Sequence, residues 1–182
     1  MTFYRETLLK NGKTVMLRSG EPEDAEKALE NFIQAHGETD YLLTYPEEND
    51  PAAVQQEQMF LQEKKESRNE IEILAILDGK IVGTAGIDSM GAKEKIRHRA
   101  EFGISVLKEF WGEGIGRALT EACVECAKEA GYRQLELNVV ADNERATALY
   151  RSLGFQEFGR NPRGFLSRKG WQELVYMRLE LN

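Results

Sequence analysis

A strand that runs into three alternating glycines and then into a helix is the feature that most limits how this chain can fold. Residues 104–119 read ISVLKEFWGEGIGRAL, with Gly112, Gly114 and Gly116 between an apolar strand and an amphipathic helix. Glycine accepts positive φ angles and lets the main chain approach a ligand closely. The first amides of a helix lack intrahelical partners and lie at the positive end of its dipole. The stretch therefore predicts a turn that binds an anion such as a phosphate or pyrophosphate.

Two familiar phosphate-binding motifs are not met by this turn. The loop of phosphate-binding NTPases ends in Gly-Lys-Ser/Thr, whereas Gly116 is followed by Arg117 and Ala118. A dinucleotide fingerprint G-x-G-x-x-G that starts at Gly112 would need a glycine where Arg117 stands. A nucleotide is therefore disfavoured as the ligand, and a tight turn without any ligand stays an alternative on this motif alone.

Hydrophobic periodicity predicts the element order β α α β β β α β α β β. The Asp78-Gly79 pair between two β-rich runs is typical of a hairpin turn. The strand–helix–strand unit in the middle predicts two parallel neighbours joined by a right-handed crossover. We therefore expect an α/β fold of the mixed α+β kind, one domain over residues 1–182, with a mostly antiparallel sheet, a central β-α-β unit and helices on both faces. Strands are predicted at 14–18, 71–77, 81–87, 97–106, 135–140, 155–165 and 171–181, and helices from Pro22 to Gly37, from Asp50-Pro51, from Gly114 to Ala130 and from Asn143 to Gly154.

Composition excludes several classes of protein. The chain has 182 residues and a formal net charge of -7, which disfavours nucleic acid as the partner. Two cysteines do not make a disulfide framework. The first residues lack the basic-then-apolar pattern of a signal peptide, and no apolar run approaches the roughly 20 residues of a membrane span. We expect a soluble, cytoplasmic protein with no membrane partner.

A second informative stretch, ADNERATALYRSLGF at residues 141–155, follows a predicted strand. Asn143, Ala146 or Thr147, and Tyr150 are spaced at i, i+3/4 and i+7, so they share one stripe of a helix. That stripe places an amide and a phenol on the same face, about two turns apart. The alternative interpretation is a capping asparagine and an amphipathic core tyrosine.

Together the two stretches resemble the GNAT superfamily of N-acetyltransferases. The acetyl-CoA motif of that superfamily runs from a strand through Q/R-x-x-G-x-G/A into a helix, and here it reads WGEGIG at residues 111–116. The later segment NERATALY at residues 143–150, followed by LGF at 153–155, resembles its second cofactor segment. The resemblance covers residues 70–181 well, and the order of the earlier elements also fits.

The resemblance implies acetyl-CoA as the acetyl donor and no metal. Trp111 departs from the usual Gln or Arg and cannot give a charged contact to phosphate, so the site would depend more on backbone amides and Arg117. The implied cofactor-binding residues are Ile104, Val106, Trp111, Gly112, Gly114, Ile115, Gly116, Arg117, Asn143, Ala146 and Tyr150.

The resemblance also implies roles in acetyl transfer to an amine. Tyr150 matches the general acid that faces the CoA sulfur, and its phenol, with an ordinary pKa of about 10, stays protonated. The backbone N–H of Val106 is the candidate that polarises the thioester carbonyl. Glu101, on the strand before the turn, is the candidate base, and His98 or a water relay are the alternatives.

The acceptor implied by the resemblance is a primary amine of a small molecule or a protein N-terminus, and the superfamily favours a homodimer. A non-catalytic acyl-CoA-binding or regulatory module on the same fold is the rival hypothesis. Tyr150 and Glu101 favour the enzyme, because a pure binder needs neither.

Three other features are interpreted as structural or peripheral. Cys123 and Cys126 form a C-x-x-C inside a helix with no second pair of ligands, which predicts core residues rather than a metal or redox site. A basic cluster at the last hairpin could be a solvated face or could touch acceptor or phosphate. The loop at residues 41–48 carries Tyr41, Tyr45 and two glutamates, and in the superfamily it borders the acceptor. The basic cluster at the last hairpin comprises Arg160, Arg163, Arg168 and Lys169.

Overall fold

One continuous sheet with helices on both faces forms the fold in this computed structural model, which describes residues 1–48, 50 and 52–181. The strands are β1 (Tyr4–Leu8), β2 (Thr14–Ser19), β3 (Ile71–Leu77), β4 (Lys80–Ser89), β5 (Arg99–Val106), β6 (Gln134–Val140), β7 (Gln156–Ser167) and β8 (Gly170–Glu180). The helices are α1 (Ala25–Gly37), α2 (Val54–Glu66), α3 (Ile115–Glu129) and α4 (Glu144–Ser152), with short 3-10 turns at Pro22–Asp24, Pro46–Glu48 and Lys108–Phe110.

The strand order across the sheet is β1-β2-β3-β4-β5-β6-β8-β7. Neighbouring strands pair antiparallel except β5 and β6, which are parallel and are connected through α3. The mixed, mostly antiparallel sheet with a central β-α-β unit is therefore confirmed.

β1 is a strand that the sequence pattern did not predict. It lies at one edge of the sheet, pairs with β2 alone, and alternates exposed and half-buried residues. An edge strand of this kind needs few apolar side chains, and Tyr-Arg-Glu-Thr-Leu shows no clear apolar alternation.

The start of α2 differs from the prediction. Asp50 Oδ1 accepts a hydrogen bond from the Ala52 N–H at 2.8 Å, and the helix begins at Val54. Pro51, which was predicted to begin this helix, lies outside the described residues.

Two apolar clusters lie on opposite faces of the sheet. α3 packs on β3, β4 and β5, and its Ile115 and Leu119 are fully buried in the larger cluster. α1 and α2 cover the other face, where Leu61 of α2 meets Leu74 of β3. Burying one such side chain stabilises the fold by about 1.5–3 kcal/mol. No helix in the described part of the chain is long and apolar enough to span a membrane.

The β3–β4 hairpin is built as the sequence predicts. Asp78 and Gly79 both have positive φ, 51° and 81°, as the tight two-residue turn requires. Beyond a shift of register between Ala75 and Ile76, Glu72 lies opposite Gly86 and Leu74 opposite Thr84.

The C-x-x-C cysteines are core residues, as predicted. Cys123 and Cys126 are free and buried within α3, and burial raises the pKa of the Cys126 thiol to about 12. Both thiols therefore stay protonated and pack as small apolar groups.

Candidate functional site

The site lies where two parallel strands part. β5 and β6 pair only over Arg99–Glu101 with Gln134–Glu136, although each strand continues for several residues. The gap opens into a cavity of about 760 Å³, lined by residues 104–106 on one side and residues 142–146 at the start of α4 on the other. The main chain of β5 is thus exposed to the cavity in the middle of the sheet.

The alternation of hydrogen bonds along β5 decides which backbone groups face this gap. The Leu107 N–H donates to the Val82 carbonyl at 2.9 Å, so residue 107 directs its backbone groups toward β4. Ile104 and Val106 have the opposite orientation and direct theirs into the gap, because successive residues of a strand alternate. The Val106 N–H is therefore placed where the sequence resemblance expects a donor.

Trp111 has a role that the sequence did not show. Its indole Nε1–H donates to the Val106 carbonyl oxygen at 2.7 Å. The indole satisfies the carbonyl oxygen of Val106. The backbone N–H of Val106 is then the group that stays available to a ligand. Trp111 therefore fixes the end of β5 rather than contacting phosphate through a charge.

The glycine turn adopts the conformation that its composition predicts. Gly112 and Gly114 have φ of 87° and 108°, and Gly114 is the N-cap of α3. Gly116 is helical, and a Cβ there would lie 3.5 Å from Leu149 of α4. All three glycines line the cavity, so the N-terminus of α3 faces the gap.

Three cations surround the glycine turn. Arg145 stacks on the Trp111 ring, with its guanidinium carbon 4.8 Å from the ring centroid, and lines the cavity. Lys10, in the β1–β2 turn, also lines the cavity, and its N–H donates to the Glu113 carbonyl at 3.2 Å. Arg117 donates to Ser152 Oγ at 2.7 Å. The predicted cation is thus one of three, and an aromatic ring positions another.

Tyr150 lies on the cavity wall and is 6% exposed. Its ring makes an edge contact with Phe102 at 6.2 Å and a tilted contact with Phe155 at 5.8 Å. Burial raises the pKa of its phenol above the usual range. The hydroxyl therefore keeps its proton at neutral pH and can donate it.

The other residues predicted on the α4 stripe are also at the cavity. Asn143 Oδ1 accepts from the Ala146 N–H at 3.2 Å and caps α4, and both residues line the cavity. Asn143 therefore both caps α4 and lines the cavity. Ile115, by contrast, is fully buried in the core and is not a lining residue.

The two candidate bases lie away from the cavity lining. Glu101 is exposed, and its Oε1 is 3.4 Å from Asn138 Nδ2. It precedes Val106 by five residues, or roughly 16 Å along an extended strand. His98 lies just before β5 and is roughly 26 Å from Val106 by the same measure. Neither side chain is among those brought together at the gap.

The loop after α1 covers one side of the cavity, and the last hairpin holds this loop. Tyr41 and Leu42 line the cavity. Arg168 pairs with Glu47, and Lys169 pairs with Asp40, which joins the β7–β8 turn to the loop. These two members of the basic cluster therefore brace the loop that borders the cavity.

The remaining members of the basic cluster have local partners. Arg160 pairs with Glu157 and Glu173, and Arg163 lies over the Trp171 ring. The cluster is therefore not a free cationic patch.

Several lining residues were not among those predicted from the motifs. Ser105 could have been inferred from its place between Ile104 and Val106, and Arg145 from its place in the first turn of α4. Lys10 and Tyr41 reach the cavity only through the tertiary fold, and no local pattern marks them.

Comparison with known proteins agrees with this geometry. The chain is 29% identical over 177 residues to "Putative ribosomal N-acetyltransferase YdaF" of Bacillus subtilis, which covers 93% of each chain. A GNAT acetyltransferase from Streptococcus pneumoniae superposes with a TM-score of 0.83 at 28% identity, over 91% of this chain and 99% of that one. YncA from Salmonella typhimurium, solved with acetyl-CoA, shares the fold with a TM-score of 0.81 at 18% identity, over 92% and 94%. The sequence model of the Acetyltransferase (GNAT) family matches residues 31–155, which include the parted strands, the glycine turn and Tyr150. The family model covers more than half of the chain, so this protein is an acyltransferase that belongs to the GNAT family.

Proposed function

We propose that this enzyme transfers an acetyl group from acetyl-CoA to a primary amine of a small molecule or a protein N-terminus by direct attack. The observation that carries the proposal is the gap between β5 and β6, which brings the Val106 N–H and the Tyr150 hydroxyl to one cavity. The Bacillus subtilis relative is named a putative ribosomal N-acetyltransferase, which supports a ribosomal protein as one class of acceptor.

The residues at the gap fit a CoA thioester. The α3 N-terminus offers unpaired amides to phosphate. Lys10, Arg117 and Arg145 supply positive charge in a chain whose net charge is -7. Ile104, Phe110 and Leu149 give the cavity an apolar wall that suits the uncharged part of CoA. When bound, acetyl-CoA supplies the acetyl group as a thioester.

The chain's own groups divide the chemistry among them. The Val106 N–H is oriented to hold the thioester oxygen as negative charge develops on it. Tyr150 holds a proton at its hydroxyl, which the departing sulfur can take. Glu101, acting at a distance through water, or a relay of water alone, receives the proton that the amine loses.

The test is a thiol-release assay with acetyl-CoA and a panel of L-methionine, spermidine and tetra-alanine. We expect free CoA to appear only when a suitable amine is present, and mass spectrometry to show the acetylated amine. Tight CoA binding with no turnover on the whole panel would favour the non-catalytic binding module instead.

We also propose a cytoplasmic location, because acetyl-CoA and protein N-termini meet there. Fractionation of cells with an antibody against the chain would place it, and recovery in the membrane or extracellular fraction would contradict this location.

A further inference from the structure

Glu38 is a carboxylate at the end of α1 that no step above uses. It directly follows the last residue of α1 and begins the loop of which Thr39, Tyr41 and Leu42 line the cavity. Its Oε2 accepts a hydrogen bond from the Lys108 N–H at 2.6 Å. The two residues are 70 positions apart in the sequence, so this bond joins the loop after α1 to the turn after β5.

The Lys108 amide finds its partner outside its own turn. Lys108 begins the 3-10 turn Lys108–Phe110, and the residue before it, Leu107, has no side-chain atom that could cap the turn. The first amides of a helical turn lack partners within it, and a carboxylate is a strong acceptor for such an amide. The other oxygen of Glu38, Oε1, accepts from Gln34 Nε2 at 2.8 Å. Both carboxylate oxygens are therefore bonded, which fixes the position of Glu38 against the turn.

The same turn brings Trp111 to Val106. The Trp111 N–H donates to the Lys108 carbonyl at 3.1 Å, which folds the chain back toward β5. The Trp111 indole then donates to the Val106 carbonyl at 2.7 Å. A continuous set of hydrogen bonds thus leads from Glu38 through Lys108 and Trp111 to Val106, which lines the cavity.

We propose that Glu38 is a positioning residue for acetyl transfer, which acts through Lys108 and Trp111 to hold the Val106 N–H in its direction. This role rests on the proposed function. A donor to a developing oxyanion must be held within about 0.5 Å of the productive geometry. Loss of the cap on the turn loosens Trp111, and Val106 then loses the bond that fixes its carbonyl. The loop after α1 therefore borders the cavity and also supports the group that acts on the thioester.

Two other roles of Glu38 would give different kinetics. If Glu38 only shaped the loop beside the cavity, its removal would raise KM for the acceptor and leave kcat unchanged. If it only stabilised the fold, its removal would lower the melting temperature and leave both constants unchanged in the folded protein. A positioning role lowers kcat, because the Val106 N–H acts on charge that develops in the transition state.

The test measures kcat and KM for the wild type, Glu38→Ala and Glu38→Gln with acetyl-CoA and the fastest acceptor of the panel. Circular dichroism selects a temperature at which every protein is folded. We expect Glu38→Ala to lower kcat about 10-fold, as the loss of a side-chain cap would, and to leave KM for the acceptor nearly unchanged. Glu38→Gln keeps an acceptor oxygen and should retain most of kcat. Glu30→Ala, at an exposed position of α1, is the matched control and should behave like the wild type.

A double-mutant cycle tests whether the effect of Glu38 passes through Trp111. Trp111→Phe removes the indole N–H and therefore the bond that Glu38 supports. Glu38→Ala should then lower kcat by a smaller factor in the Trp111→Phe background than in the wild type. Equal factors in the two backgrounds, or an unchanged kcat in Glu38→Ala, overturn the role of Glu38 while acetyl transfer stands.

Tryptophan fluorescence tests the same link without any turnover. The chain has two tryptophans, so Trp111 alone emits in a Trp171→Phe background. We expect Glu38→Ala to shift this emission to longer wavelength, because the released indole meets more water, and Glu30→Ala to leave it unchanged. An unshifted emission in Glu38→Ala overturns the role of Glu38. A shifted emission together with no turnover by the wild type on the whole panel overturns the proposed function instead.

Discussion

Tyr150 combines a packed ring with a place on the cavity wall. Its ring contacts Phe102 and Phe155, and the residue also lines the cavity. Replacing it with phenylalanine keeps the ring contacts and removes only the proton donor.

We expect Tyr150→Phe to lower kcat about 10²-fold or more, because the departing sulfur then lacks a positioned acid. CoA affinity should change little, since the apolar wall is intact. Single-turnover acetyl transfer and calorimetry measure the two quantities. An unchanged rate would remove Tyr150 from the mechanism.

Glu72 of β3 should affect stability as a function of pH. Burial raises the pKa of its carboxyl to about 7 in the folded chain from an ordinary 4.5 when unfolded, so the folded state binds more protons between these values. Stability attributable to Glu72 is therefore fully present below pH 4.5 and is lost as pH rises to 7. Glu72→Gln should equal the wild type near pH 4 and be more stable above pH 7, as urea unfolding would measure. A variant less stable at pH 8 would contradict this.

Some residue positions could be predicted from sequence because their requirements are local. Asn143 and Tyr150 follow from the spacing of one helix, and both line the cavity. The indole of Trp111 closing on the Val106 carbonyl could not be predicted, because it depends on a 3-10 turn that folds the chain back. The stacking of Arg145 on that indole could not be predicted either, because its ring partner lies on a different element.

At the level of elements, the glycine turn links a strand to a helix with little freedom. Gly114 has φ of 108°, and Gly79 in the β3–β4 hairpin has φ of 81°, so both take a conformation that favours glycine. Only Gly114 lies at the cavity. Substitutions at Gly114 and Gly79 therefore distinguish the effect of backbone strain on stability from an effect on ligand binding.

We expect Gly114→Val and Gly79→Val to lose similar stability, on the order of 1–3 kcal/mol, because both force a side chain into a strained region. Only Gly114→Val should lose CoA affinity, since its side chain obstructs the approach to the turn. Thermal unfolding and calorimetry with CoA measure this. Equal CoA affinities for the two variants would contradict a role of this turn in binding.

The elements with strong local patterns were predicted, and the others were not. The Asp-Gly hairpin and the crossover helix follow from turn chemistry and period, so their positions were confirmed within a few residues. The edge strand β1 has mixed exposure and carries no such pattern. The parting of β5 from β6 could not be read from sequence either, because both segments look like full strands.

At the scale of the whole molecule, the edge formed by the last two strands carries exposed apolar side chains. Phe158, Leu166 and Trp171 are 49%, 66% and 54% exposed, and β7 is an edge strand. Large apolar side chains on an exposed edge favour association with another chain.

We expect a homodimer, with a mass near twice 20.7 kDa by light scattering. Leu166→Glu should shift the protein to monomer, because it buries a charge in that contact. Met59→Glu, at an exposed position of α2, is the matched control and should stay dimeric. A monomeric wild type at high concentration would contradict the expectation.

The parted strands also change how solvent reaches the centre of the sheet. Amides in a central strand normally exchange their hydrogens slowly, because both neighbours protect them. The amides of Ile104 and Val106 face the gap instead of a partner strand, so in the free enzyme they should exchange at rates typical of an edge. Hydrogen exchange measured by mass spectrometry should show that added CoA slows exchange at these two amides. The Leu107 amide, which bonds to the Val82 carbonyl, should be protected with or without CoA. We expect the pantetheine arm of bound CoA to complete this vacant strand position in the middle of the sheet.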